Sequence, residues 1–327
     1  MTDKKMEDRK MKSRKDNRRA ISYPCSSVFH PWLLILFVFP LALGCGGKTS
    51  PKQKSVADQY AAALKQHDPV LKANELSKVA EKQNKAGDGL AAQSSLASAA
   101  LAAKEVTDPA SRATCLNNVA AAMCRLEQVS DAKPLFSEAA KAADEIKDAD
   151  AKITPLISLA STSGTYLKNP DLAAEYLKKA EAAADAIGNP TIKAQAMGRI
   201  ATGYSKLPKD EDAKRVADKA LEFARSQPSA KEKCDTLAEV AAQLAKMKKV
   251  PESQAAFDEA QKEADHVESP DGKANAFVHL AKKLKEAGQK GPAKALLTKA
   301  EDIADHLKDG SLRGPLKTEI EVARKGL

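Results

Sequence analysis

Residues 189–227 read NPTIKAQAMGRIATGYSKLPKDEDAKRVADKALEFARSQ, and residues 269–307 read SPDGKANAFVHLAKKLKEAGQKGPAKALLTKAEDIADHL. Both open on a short polar residue, then Pro, then a basic residue three places further on. Asn and Ser are good helix N-caps, because their side chains accept a hydrogen bond from an orphan amide of the first turn. Pro is tolerated at the first helical position, where its missing N–H has no helical partner anyway. The same opening recurs along the chain. Asp68, Asp108, Asp148, Asn189, Ser229, Ser269 and Asp309 stand four residues before Lys72, Arg112, Lys152, Lys193, Lys233, Lys273 and Arg313, and the basic column is spaced 40, 40, 41, 40, 40 and 40. Pro69, Pro109, Pro190 and Pro270 follow four of these caps, and Ala149, Ala230 and Gly310 follow the others. Seven helices announce their start by one chemistry.

Each of the first six starts opens a helix A with its apolar residues at i, i+3 and i+4. These are Leu76/Val79/Ala80, Leu116/Val119/Ala120, Leu156/Leu159/Ala160, Met197/Ile200/Ala201, Leu237/Val240/Ala241 and Phe277/Leu280/Ala281. That spacing puts them on one helical face. A turn follows, marked by Gly87-Asp88-Gly89, Asn169-Pro170-Asp171, Lys209-Asp210 or Gly288. A helix B then carries small residues three and four apart, as in Ala92, Leu96, Ala99, Ala103 and Val106, or Ala293, Leu297, Ala300, Ala304 and Leu307. The period-2 alternation of a half-buried strand is absent. Aromatics are only 4% of the chain, so the core must come from close helix crossings over Ala rather than from large rings. The expectation is an all-α solenoid of six antiparallel helix pairs over residues 67–307. Repeats start near 67, 107, 147, 188, 228 and 268, a helix over 52–66 closes the front and a cap helix over 308–327 closes the back.

In four repeats twelve residues separate the helix A alanine from the first small residue of helix B (80 to 92, 120 to 132, 201 to 213, 281 to 293). In three of them a bulky residue follows four later (Leu96, Phe136, Leu297), with Ala217 in the fourth, and in all four another Ala comes three after that. These columns resemble those of the tetratricopeptide repeat. The period here is 40 rather than about 34, and the family's helix A aromatics are missing apart from Tyr204. The resemblance implies a right-handed superhelix whose helix A residues line a concave groove. Transferred position by position, that groove includes Asn74, Ser77, Asn84, Thr114, Asn117, Thr154, Gln195, Thr202, Asp235, Asn275 and Lys282. Its walls are short, polar and nearly uncharged, which suits an extended peptide or a partner helix. The several cations in adjacent repeats that the family uses to clamp a peptide carboxylate are missing from these positions.

The N-terminus reads as an address. Residues 1–44 hold nine Lys/Arg and four acids, so five of the nine net positive charges lie there. The remaining four are spread over a long chain without a Lys/Arg stripe interleaved with aromatics, which argues against nucleic-acid binding. Trp32–Leu43 is an apolar run of twelve residues, WLLILFVFPLAL; it is well short of the roughly 20 that span a bilayer, and it has the length of a signal-peptide core. It ends in Leu41-Ala42-Leu43-Gly44-Cys45, which resembles a bacterial lipoprotein signal. That resemblance implies cleavage after Gly44, a diacylglycerol thioether on Cys45, and a tether over 45–51.

No residues stand out for catalysis. Cys115 and Cys124 are nine apart on one helix, about 13 Å by rise and on opposite sides, so they cannot bridge. Cys234 replaces a column alanine, and the three read as small buried residues. The histidines at 30, 67, 266, 279 and 306 lack metal-ligand spacing, and a nucleophile elbow, a Gly-rich phosphate loop and a His-Glu-x-x-His are absent. The basic column, one helical turn past its caps, reads as a solvated face making weak Asp–Lys pairs. The functional expectation is a membrane-anchored lipoprotein scaffold of the cell envelope. It faces the periplasm from the inner or outer membrane and binds protein or peptide partners, without cofactor, metal, nucleic acid or small-molecule substrate. The alternative is a purely structural envelope protein with no groove ligand, and an enzyme or metal binder ranks last.

Overall fold

A computed structural model describes residues 55–327. Cys45, its tether and the apolar run before it lie outside the described residues. The A helices are α2 (Pro69–Lys85), α4 (Pro109–Arg125), α6 (Ala149–Thr165), α8 (Pro190–Tyr204), α10 (Ala230–Lys246) and α12 (Pro270–Glu286). The B helices are α3 (Gly89–Lys104), α5 (Val129–Glu145), α7 (Pro170–Asp185), α9 (Asp210–Arg225), α11 (Val250–Asp265) and α13 (Lys290–Asp305). A short α1 (Val56–Leu64) packs on α2, and α14 (Gly310–Arg324) packs on α12 and α13. Among the described residues there is no strand, and no helix is long and apolar enough to cross a membrane.

The caps behave as their chemistry requires, with one exception. Asp68 accepts from the amides of Val70 and Leu71, Asp108 from Ser111, Asp148 from Ala151, Asn189 from Thr191 and Ile192, Ser229 from Glu232, and Asp309 from Ser311. Ser269 has the same extended backbone but makes no side-chain cap bond. Five of the six A helices, all but α8, are tied off by a left-handed residue: Gly87, Glu127, Lys168, Lys248 and Gly288 have positive φ. The residue after it reaches back across the last turn, as in Asp88 N–H to Gln83 O at 3.0 Å and Gln289 N–H to Leu284 O at 2.8 Å. That is the Schellman closure, which satisfies orphan carbonyls.

At four of its seven positions the basic column is not a solvated face of Asp–Lys pairs. Lys152 donates to the carbonyl of Asp144 at 3.1 Å, Lys193 to that of Asp185 at 2.9 Å, Arg112 to that of Val106 at 3.4 Å, and Arg313 to that of Leu307. Each acceptor lies at or just past the C-terminus of the preceding B helix. A cation there meets both an unpaired carbonyl and the negative end of the helix dipole. At these four junctions the column therefore fastens a B helix to the next A helix.

All the A-column apolar residues are buried, as are the B-column alanines. Each A helix packs most closely on its own B helix. Consecutive A helices also touch directly, from α2–α4 through to α12–α14, and consecutive B helices do not touch to a comparable extent. The stack is thus closed on its A face and more open on its B face. One polar network reaches from this core to its edge. Tyr204 of α8, fully buried, donates to Glu181 of α7 at 2.7 Å, and Arg215 of α9 grips the same carboxylate with two bonds of 2.8 and 3.0 Å. Burial raises the Glu181 pKa, but the bonds from Arg215 and Tyr204 outweigh it and hold the carboxyl below its ordinary value. Such a buried charge is tolerable only when fully partnered in this way. Cys115, Cys124 and Cys234 are free and buried.

Candidate ligand surface on the A helices

The side chains expected to line a groove fall into three groups. Asn74, Thr114 and Thr154 come together, from three successive A helices, around a cavity of about 340 Å³ near the helix N-termini. Pro155 also lines it. Proline has no N–H, so the Ala151 carbonyl, on the same cavity, lacks its usual helical donor. Within this group Thr114 hydrogen-bonds its own helix at Ala110 O (2.9 Å), and Thr154 accepts from Arg199 at 2.7 Å.

A second group is already partnered, within the stack or on its surface. Asn117 is only 2% exposed and accepts from the Thr162 hydroxyl at 2.7 Å, so it joins α4 to α6 rather than facing a ligand. The reason is the tight A–A approach, which swallows the position directly after the Leu column; Gly198, Ala238 and Val278 are buried there too. Ser77 bonds back to Ala73 O at 2.8 Å, Asp235 is paired with Lys231 at 2.6 Å, and Lys282 with Glu319 of α14 at 2.6 Å. The third group, Asn84, Gln195 and Asn275, has side-chain amides that, like that of Asn74, make no hydrogen bond among the described residues and are at least partly exposed.

A second concavity lies elsewhere along the same face. A bay of about 630 Å³ is bounded by the C-terminal halves of α6 and α8, the end of α10, and the turns at Lys168–Pro170 and Lys206–Pro208. Its floor is apolar, from Ile157, Ala160, Leu207 and the two prolines, with Ser161, Thr165, Thr202 and Gln243 between them. Thr202 is the expected groove residue here, and its hydroxyl sits 3.0 Å from Gly198 O and 3.2 Å from the Gln243 side-chain oxygen. Arg199, Lys168, Lys206 and Lys246 also line the bay, and no carboxylate does. Lys168, Lys206 and Lys246 were missed in the sequence because the groove positions carried over stop eight residues after the Leu column, and Arg199, two after it, falls between those positions. Lys206 and Lys246 stand nine after it, at the same place in consecutive repeats, which is a readable signal.

Among the described residues no three His, Cys, Asp or Glu side chains converge as metal ligands would. The thiols are poor nucleophiles: burial pushes Cys234 up to about 12 and Cys115 up to about 11.

No family model matches the chain, and no curated protein matches it. Among solved structures the chain is similar to Ton1535 from Thermococcus onnurineus NA1, at 15% identity over 81% of this chain and 94% of that one, with a TM-score of 0.41. It is also similar to BtubC (BKLC) from P. vanneervenii, at 17% identity over 77% of this chain and 92% of that one, with a TM-score of 0.36.

Proposed function

We propose that the chain is a tetratricopeptide-like scaffold, held on a membrane of the cell envelope by a lipid on Cys45, that binds protein partners along its A helices. One observation carries the binding half. The A face holds two concavities, each walled by three consecutive A helices, together with amides whose hydrogen-bonding capacity is unspent. Helices joined side by side in this way offer a long surface for an extended segment or a helix of a partner. The anchoring half rests on Leu41–Cys45 and the apolar run before it. Several acyl chains, at about 0.8 kcal/mol per buried methylene, would hold the protein durably.

Both halves have direct tests. A photo-crosslinking residue placed at Gln195 or Asn275 of the full chain should capture discrete partners in cells. The same residue at Lys178, exposed on α7, should not. Equal capture from both faces, or none from the A face, removes the scaffold reading. Mass spectrometry of the membrane fraction should find a lipid-modified N-terminal peptide that disappears in Cys45→Ser, and an unmodified Cys45 in the wild type removes the anchor.

A further inference from the structure

We infer that the bay between α6, α8 and α10 is the docking site for an acidic, extended peptide segment of a partner. Its carboxylates pair with Lys168, Arg199, Lys206 and Lys246, and its apolar side chains rest on Ile157 and Leu207. The inference deepens the scaffold reading and rests on it for the existence of a protein partner.

Charge is the first argument. Elsewhere on the A face cations that reach across helices find carboxylates: Arg125 with Glu81 at 2.8 Å, Lys283 with Glu239 at 2.9 Å, Lys282 with Glu319 at 2.6 Å. In the bay, Lys168, Lys206 and Lys246 have no ion-pair partner among the described residues, and Arg199 bonds only the Thr154 hydroxyl. Four like charges around an apolar floor raise the local potential and draw in anions.

Length is the second argument. The cations come from three consecutive repeats, and packed helices lie about 8–10 Å apart. Two such steps make about 20 Å, which an extended chain rising roughly 3.3 Å per residue covers in about six residues. A free phosphate or a small carboxylate would answer one cation pair and leave the rest unmet. The floor is the third argument. Aliphatic walls take apolar side chains, and no aromatic ring lines the bay, so the stacking platforms that hold single-stranded nucleic acid are missing. The chain's own N-terminal segment, with nine basic and four acidic residues over 1–44, has the wrong charge to fill the bay.

The test uses the full chain, a fluorescein-labelled peptide of repeated Glu-Leu-Ser, its Gln-Leu-Ser counterpart and a single-stranded oligonucleotide of equal charge, read by fluorescence anisotropy. The Glu peptide should bind, the Gln peptide should not, and rising salt should weaken the complex. Lys206→Glu with Lys246→Glu should weaken binding by about tenfold or more. Lys178→Glu with Lys262→Glu, the same charge change on exposed positions of α7 and α11, should leave it unchanged. Lys206→Gln with Lys246→Gln should fall between wild type and the reversal. No binding, equal binding of the Gln peptide, equal loss in both reversal variants, or tighter binding of the oligonucleotide at this bay would overturn the inference. Should the crosslinks from Gln195 and Asn275 persist in that case, the scaffold reading stands and only this site falls.

Discussion

Glu127, Lys168 and Lys248 close their helices with φ of 63°, 52° and 60°, where Gly87 and Gly288 serve in other repeats. A side chain in that region clashes with its own carbonyl at a cost of roughly 1–2 kcal/mol, part of which glycine loses again through the flexibility of its unfolded chain. Lys248→Gly and Glu127→Gly should therefore each stabilise the fold by about 0.5–1 kcal/mol, seen as a higher urea midpoint with an unchanged slope. Gly288→Ala should move it the other way. A second prediction at this scale concerns Glu181. Its folded pKa lies below its unfolded one, so the native state binds fewer protons. The stability it contributes is complete above the unfolded value, about 4.3, and is lost as pH falls through the folded pKa. The stability gap between wild type and Glu181→Gln should be widest near neutrality and close in acid; a gap independent of pH would show that the network does not act through this charge. Tyr204→Phe keeps the ring and removes one bond to a charged acceptor, an expected loss of about 1.5–3 kcal/mol. The buried thiols give a third. Cys115, Cys124 and Cys234 should resist maleimide at pH 8 in the native protein and react together on unfolding, as peptide mapping would show. Rapid native labelling of Cys234 would contradict its full burial.

At the scale of the helix, the caps can be compared with one another, because one start lacks the bond the others make. Ser229→Ala removes an amide partner at the head of α10 and should cost about 1 kcal/mol, whereas Ser269→Ala at the head of α12 should cost only a few tenths. Thermal melts of the two variants make the comparison, and equal losses would mean that the Ser269 hydroxyl does cap in solution. The basic column belongs to this scale too. Lys193 holds the last carbonyl of α7 and lies over the Phe223 ring at 5.1 Å. Lys193→Met keeps the aliphatic stem and loses the charge, with an expected cost of about 0.3–1 kcal/mol that salt should diminish. The helix starts, the apolar faces and the alanine columns were all legible as residue patterns, because capping and amphipathic burial are local rules with a short period. The destination of the basic column was not, since its carbonyl partners belong to the preceding helix and depend on the angle at which the two meet.

For the array as a whole, stability is a sum over neighbours, each helix pair touching only the adjacent ones. α10 packs on α8, α9, α11 and α12, while α1 packs on α2, and α14 on α12 and α13. Hydrogen exchange should accordingly be slowest in α8 through α12 and fastest in α1 and α14, and uniform protection would argue against a stacked array. Leu237→Ala, in α10 and fully buried, should cost about 2–5 kcal/mol. Leu316→Ala in α14 should cost less, because the terminal helix can relax into solvent. By itself the sequence determined that the chain is helical, where its pairs begin, and which side chains form the core, since each of these follows from hydrogen bonds and burial within a single forty-residue period. Only the tertiary structure decided which polar residues remain available. The close approach of one A helix to the next buries Asn117 and spends Thr162 on it. The same stacking gathers Lys168, Arg199, Lys206 and Lys246 from three repeats around one apolar bay. Residues so far apart in the chain become neighbours only through the distance and angle between packed helices, which no local pattern encodes.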